Sequence, residues 1–314
     1  MLTALLAALV PTFGLLALGW LWRHLDRKSD GAVHALNRYA FVVALPALIF
    51  QSVFHLHGTA ALSAVDARYL LGIVIGHVAV GCLALGVHVF RPRKDVRALA
   101  PTLLMFGSTA YFGLPFATYA FGAEGAGIAA MGAVALIIVA LGAGLGSLTA
   151  HAPRRKREAS WHQLFELPFL WVVLLALALP LLGITTLARP LESALSAVAS
   201  SAAPVALIAL GAFAHDLSLA RVPWRWAIPL GISKVLLPAV ASFVALTLLG
   251  VSGIPLVVGV TLGATPLAIT TFTLAEEFDI GQPLVAGTMV VSIVTAVLAL
   301  TAITALWIGT GVFR

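Results

Sequence analysis

The chain has 314 residues, 61% of them hydrophobic and only 10% charged, with a mean hydropathy of +1.07. That balance excludes a water-soluble globular domain of this length. A net charge of +6 raises nucleic acid as a partner, but the cations are sorted by loop, so the partner they imply is the lipid bilayer.

A membrane-crossing helix needs ~20 largely apolar residues. Ten stretches qualify: 2–22, 36–56, 68–90, 98–121, 124–148, 164–183, 192–214, 225–249, 255–276 and 283–309. The first lacks a basic leader, and Arg23, Arg27 and Lys28 follow its apolar run, so it reads as a retained helix and not a signal peptide. The second carries Gln51, a candidate for helix-to-helix hydrogen bonding or gating. His55 and His57 close it, and two imidazoles without a third ligand make a poor metal site. The third holds His77 and the single cysteine, Cys82, which has no disulfide partner in the chain. "GIVIG" (72–76) in the third span and "GVTLG" (259–263) in the ninth have the spacing of close helix packing. Trp161, Trp171, Trp224 and Trp226 fall near predicted interfaces.

The loops after spans 1, 3 and 5 carry four cations each: Arg23, Arg27, Lys28 and Arg38, then Arg91, Arg93, Lys94 and Arg97, then Arg154, Arg155, Lys156 and Arg157. Arg221 and Arg225 follow span 7, whereas Arg68, Arg189 and Arg314 are all that the opposite side has. The positive-inside rule then places both termini outside the cytoplasm of an inner or plasma membrane.

An offset of 157 residues aligns Pro11 with Pro168 and His77 with Lys234, and nearly aligns Pro46 with Pro204. This divides the chain into a five-span repeat over 1–157 and a second over 158–314. Five is odd, so the second repeat enters the membrane inverted, as in many secondary transporters.

"GSTAYFGLPFATYAFG" (107–122) puts helix-breaking residues inside the fourth span, and "VTLGATPLAITTFTLAEEF" does the same in the ninth. Proline removes a donor and an interrupted helix persists in lipid only when protein or a cavity covers the break. The half-helix N-termini suit an anion such as a carboxylate. The substrate-binding candidates are Ser108, Thr109, Gly113 and Pro115 from span 4 with Thr265, Pro266, Thr270 and Thr271 from span 9. His77 and Lys234 are the ionisable groups within spans and, with Gln51, are the coupling or gating candidates. All twelve Asp and Glu lie in loops or near span ends, which counts against antiporters built on buried aspartates. No His-Glu-x-x-His pair or aspartate dyad supports an enzyme, and no metal or cofactor is implied.

Together, "NRYAFVVALPALIF", "GSTAYFGLPF", "SSAAPVALIALG", "KVLLPAV" and "PLAITTFTLAEEFDIGQPLVAGTMVVSIVT" resemble, in order and spacing, the auxin efflux carrier family, which includes plant PIN exporters and bacterial malonate and malate carriers. The resemblance covers nearly the whole chain. It implies an all-α membrane protein of ten helices in two inverted five-helix repeats, with helices 4 and 9 broken and crossing at the midplane. It also implies elevator-like alternating access and efflux of a small organic carboxylate. Where family members often carry asparagines beside the two breaks, this chain has Ser108 and Thr270. A hydroxyl has a shorter reach and one donor where an amide has two, so substrate identity transfers less readily than fold. Proton linkage, sodium symport, a homodimer, and a channel or sensor on a carrier fold stay open.

Overall fold

A computed structural model describes residues 2–26, 30–56, 67–86, 93–151 and 168–309. The repeat boundary at 157/158 lies outside these, as do Arg27, Lys28, His57, Arg91, Arg154, Arg155, Lys156, Arg157, Trp161 and Arg314. The described residues are helical apart from short connections and one isolated antiparallel bridge. Among the described residues seven helices are long and apolar enough to cross a membrane, and Pro168–Leu181 and Gly253–Gly263 are shorter apolar helices.

In chain order, α1 (Leu2–Leu25) is followed by α2 (Asp30–Tyr39), which passes through a π-helical turn at Ala40–Ala44 into α3 (Leu45–Leu56). Next come α4 (Ala67–Gly86), α5 (Lys94–Met105), a second π turn at Thr109–Gly113 and α6 (Leu114–His151). The remainder is α7 (Pro168–Leu181), α8 (Arg189–Asp216), α9 (Trp224–Leu248), α10 (Gly253–Gly263), α11 (Ile269–Glu277) and α12 (Gln282–Gly309).

Both π turns have one cause in the sequence. Pro46 and Pro115 are each the second residue of the helix that follows the turn. Each lacks an N–H and crowds the carbonyl four residues back, and a one-residue slip of the bonding pattern absorbs the misfit. The run Thr109–His151 is 43 residues long, about twice the length of one crossing. The chain turns within it at Gly122, whose φ of 64° and ψ of −149° belong to a region that only glycine enters readily.

The helices pack as two groups. In the first, α1 lies against α8 and α3 packs on α7 and α8. A methyl group at Gly19 would strike the carbonyl of Ile208, and one at Gly211 the carbonyl of Leu16, so α1 and α8 meet backbone to backbone. In the second group α9 packs on α4, α10 and α12, and α5 on α4 and α9. Gly72 and Gly76 of α4 seat Leu246 and Ser242 of α9, and Gly231 of α9 seats Val291 of α12. Helix α6 touches both groups. Large apolar side chains on α4 (Leu71, Ile75, Leu83), α9 (Leu236, Val240, Val244) and α12 (Leu298, Leu306) face outward, as a bilayer requires.

Candidate functional site: the crossing of two interrupted helices

Helices α5 and α10 have 12 and 11 residues, about 18 and 16 Å of helix, and so stop well short of a ~30 Å hydrocarbon layer. Their C-terminal carbonyls and the N–H groups of the segments that follow need partners. The two breaks supply each other. Past α5 the chain is extended at Phe106, and before α11 it is extended at Ala268. The Ser108 N–H donates to the Pro266 carbonyl at 2.7 Å and the Ala268 N–H to the Phe106 carbonyl at 3.1 Å, bracketing an antiparallel bridge between Gly107 and Leu267. The Leu267 N–H donates to Ser292 Oγ of α12 at 2.9 Å, and that hydroxyl donates to the Met289 carbonyl at 2.8 Å.

Lys234 of α9 is fully buried, and its Nζ donates to the Thr265 carbonyl at 3.2 Å. The ammonium thus caps the negative end of α10. Gly107 is packed so closely that an added Cβ would overlap Thr265 Oγ1 and lie 3.2 Å from Lys234 Nζ.

On the other side of the crossing is a cavity of about 260 Å³. Ser108, Thr109, Ala110 and Tyr111 border it from the start of the second π turn, and Ala268, Ile269, Thr270 and Thr273 from the start of α11. No side chain caps either N-terminal turn, so both positive helix ends open on the same space. Thr109 is buried and its Oγ1 has no hydrogen-bond partner. Phe106 and Ile137 complete this wall. Asn37, Phe41 and Phe169 close the far side, contributed by α2, the first π turn and α7. The cavity therefore lies where the two packed groups face each other, and no Asp, Glu, His, Lys or Arg lines it.

The residues singled out in the sequence divide by role. Ser108, Thr109 and Thr270 line the cavity. Thr265 and Pro266 build the crossing through their carbonyls, Gly113 gives room to Leu262 and Thr265, and Pro115 and Thr271 are buried beside it, the Thr271 Oγ1 without a partner. His77 is buried on α4 with Nδ1 2.9 Å from the Ile73 carbonyl and Nε2 unpartnered, and it does not reach the cavity. Gln51 borders a separate open groove of about 550 Å³ between α3 and α8, together with His55, Arg189, Glu192, Ser193 and Ser196.

Sequence reasoning passed over Asn37, Tyr111, Thr273 and the aromatic wall. Asn37 heads the "NRYAFVVALPALIF" stretch but has no helix-breaking neighbour to draw the eye. Only the folded chain shows it sharing a cavity with Ser108 and accepting a hydrogen bond from Tyr111.

The profile of a family described as membrane transport protein matches residues 4–304. The chain belongs to that family. It is a transporter family and not an enzyme family, and the match supports the resemblance to auxin efflux carriers read from the motifs. A search of curated proteins finds no match. The chain is thus a multi-pass membrane protein of a transporter family.

Proposed function

We propose that the protein is a secondary transporter that exports a small organic carboxylate by alternating access, with the cavity at the crossing as its binding site. One observation carries this reading: two uncapped half-helix N-terminal turns, from breaks far apart in sequence, open on one cavity. Convergent backbone N–H groups and aligned peptide dipoles favour an anion. The Ser108, Thr109 and Thr270 hydroxyls add side-chain donors, and the aromatic wall suits an organic body more than an inorganic ion.

In this reading the ten membrane segments form two inverted repeats, 1–157 and 158–314, in an inner or plasma membrane with both termini outside the cytoplasm. The group containing the crossing slides against α1–α3, α7 and α8 and carries the cavity from one side to the other. Lys234 moves with it and supplies positive potential behind the crossing without touching the substrate. His77, whose Nε2 lacks a partner, is the candidate for a coupled proton. Gln51, which borders a groove between α3 and α8 apart from the cavity, stays a candidate for gating.

Counterflow in proteoliposomes tests this. Purified protein is loaded with unlabelled malonate, malate, succinate or indole-3-acetate, and uptake of the same labelled compound is followed. Transient accumulation above the external concentration with at least one of them is expected. Equilibration without overshoot for every compound, in vesicles shown to be intact and active by conductance, would make the protein a channel.

A further inference from the structure

The crossing sorts its helix ends by sign. The N-terminal turns at Thr109 and Ile269 open on the cavity, whereas α5 and α10 run into the crossing with their C-terminal ends, at Phe106 and Ala264. Each helix C-terminus carries about half a negative charge, so two of them together are balanced by roughly one cation. The chain carries that cation itself. Lys234 is fully buried and its Nζ donates to the Thr265 carbonyl at 3.2 Å, two residues beyond α10. A Cβ added at Gly107, two residues beyond α5, would lie 3.2 Å from the same Nζ. Among the described residues no carboxylate lies within ion-pair distance of Lys234. A buried charge needs compensation, and here backbone oxygen and helix dipoles supply it. The Thr265 Oγ1 donates to the Leu262 carbonyl at 2.8 Å, which leaves its lone pairs free to accept.

Unwound carbonyls and half-helix C-terminal ends are the groups with which secondary transporters hold a coupling Na+. Resting on the carrier reading, we infer that the Lys234 ammonium occupies the place of such a cation, so that exchange of the carboxylate needs no free Na+. The positive charge is tethered, stays with the crossing through the whole cycle and is never released to either side. No ion gradient is spent at this place, and sodium symport through it is excluded. Any coupled ion then has to bind elsewhere, as a proton would at His77. The place is a cation site filled from within: with the tether gone and room left behind, a small cation enters and takes over its role.

The test compares Na+ with N-methylglucamine at constant ionic strength. Wild-type proteoliposomes are expected to exchange the carboxylate that shows counterflow with the same KM in both media. Lys234→Ala, which removes the charge and leaves space, is expected to raise KM about 5–30 times in N-methylglucamine. Added Na+ or methylammonium should lower it again, saturably. In detergent the Tm of that variant should rise by about 2–4 °C with Na+ and not with N-methylglucamine, while the wild-type Tm is the same in both. Lys234→Met, which fills the space, should show neither response. Lys234→Asn, whose amide oxygen adds a ligand, serves the same comparison if the alanine variant does not fold. Exchange by the wild type that requires Na+ would overturn the inference and leave the carrier reading standing. So would a folded Lys234→Ala variant that responds to neither cation in KM or Tm. If no compound exchanges in the wild type, the carrier reading falls and takes the claim about coupling with it, even where the Tm comparison shows the cation site.

Discussion

At Gly107 two interrupted helices touch, and the space left is smaller than a methyl group. Gly107→Ala therefore forces apart the Gly107–Leu267 bridge or the Lys234–Thr265 hydrogen bond, and overpacking of this kind costs about 1–3 kcal/mol. Thermal unfolding in detergent should show a clear fall in Tm for Gly107→Ala and none for Gly14→Ala, where nothing lies within 4 Å of the added carbon. An unchanged Tm at Gly107 would mean the crossing is looser than described. Lys234 is the second telling residue. Lys234→Met keeps the length of the side chain and removes its charge. If the ammonium supplies potential to the cavity, the variant should bind the carboxylate about 5–30 times more weakly, the equivalent of about 1–2 kcal/mol, while its Tm changes little because a buried charge is itself costly to desolvate. Wild-type affinity in a folded variant would reduce Lys234 to a structural cap on α10.

The interruptions themselves were legible at the scale of single elements. Gly and Pro beside Ser and Thr in the middle of two apolar runs mark helix breaks by simple hydrogen-bond accounting, and the structure has breaks at both. That the breaks are joined by backbone hydrogen bonds was not legible, because neither periodicity nor composition encodes which carbonyl meets which N–H across 160 residues. Asn37 escaped for the same reason: it borders the cavity and meets Tyr111 of the second π turn through the tertiary fold, which its own helix does not encode. The turn at Gly122 is a different case, since the predicted fourth and fifth spans end and begin on either side of it. A methyl there has room but φ is +64°, so Gly122→Ala should destabilise through backbone strain alone, by about 1–3 kcal/mol. The drop in Tm should persist when neighbouring side chains are shortened. Relief by such shortening would show that packing, not backbone conformation, is the cause.

For the whole molecule, the arrangement of two packed groups around one cavity makes a mechanical statement. Phe213 of α8 and Phe272 of α11 meet across the groups with ring centroids 5.6 Å apart, whereas Trp20 and His215 meet at 5.3 Å within the first group. In a Cys82→Ser background, bridging cysteines at 213 and 272 with a short bifunctional thiol reagent should abolish exchange, and cleavage of the bridge should restore it. The same bridge between positions 20 and 215 should leave exchange intact. Exchange that survives the first bridge would argue against sliding of one group on the other. The small-residue contacts of α1 with α8 and of α4 with α9 give each group the rigidity such a motion needs.

The claim on which the rest depends is that the cavity at the crossing binds the transported anion. The most direct measurement is the concentration dependence of labelled-carboxylate exchange for a combined Ser108→Ala and Thr270→Val variant beside the wild type, using whichever compound shows counterflow. Loss of two hydroxyl donors to a charged group, at about 1.5–3 kcal/mol each, should raise KM by at least tenfold while the protein keeps its Tm. Unchanged KM and kcat in a folded double variant would contradict the placement of the substrate between the two breaks.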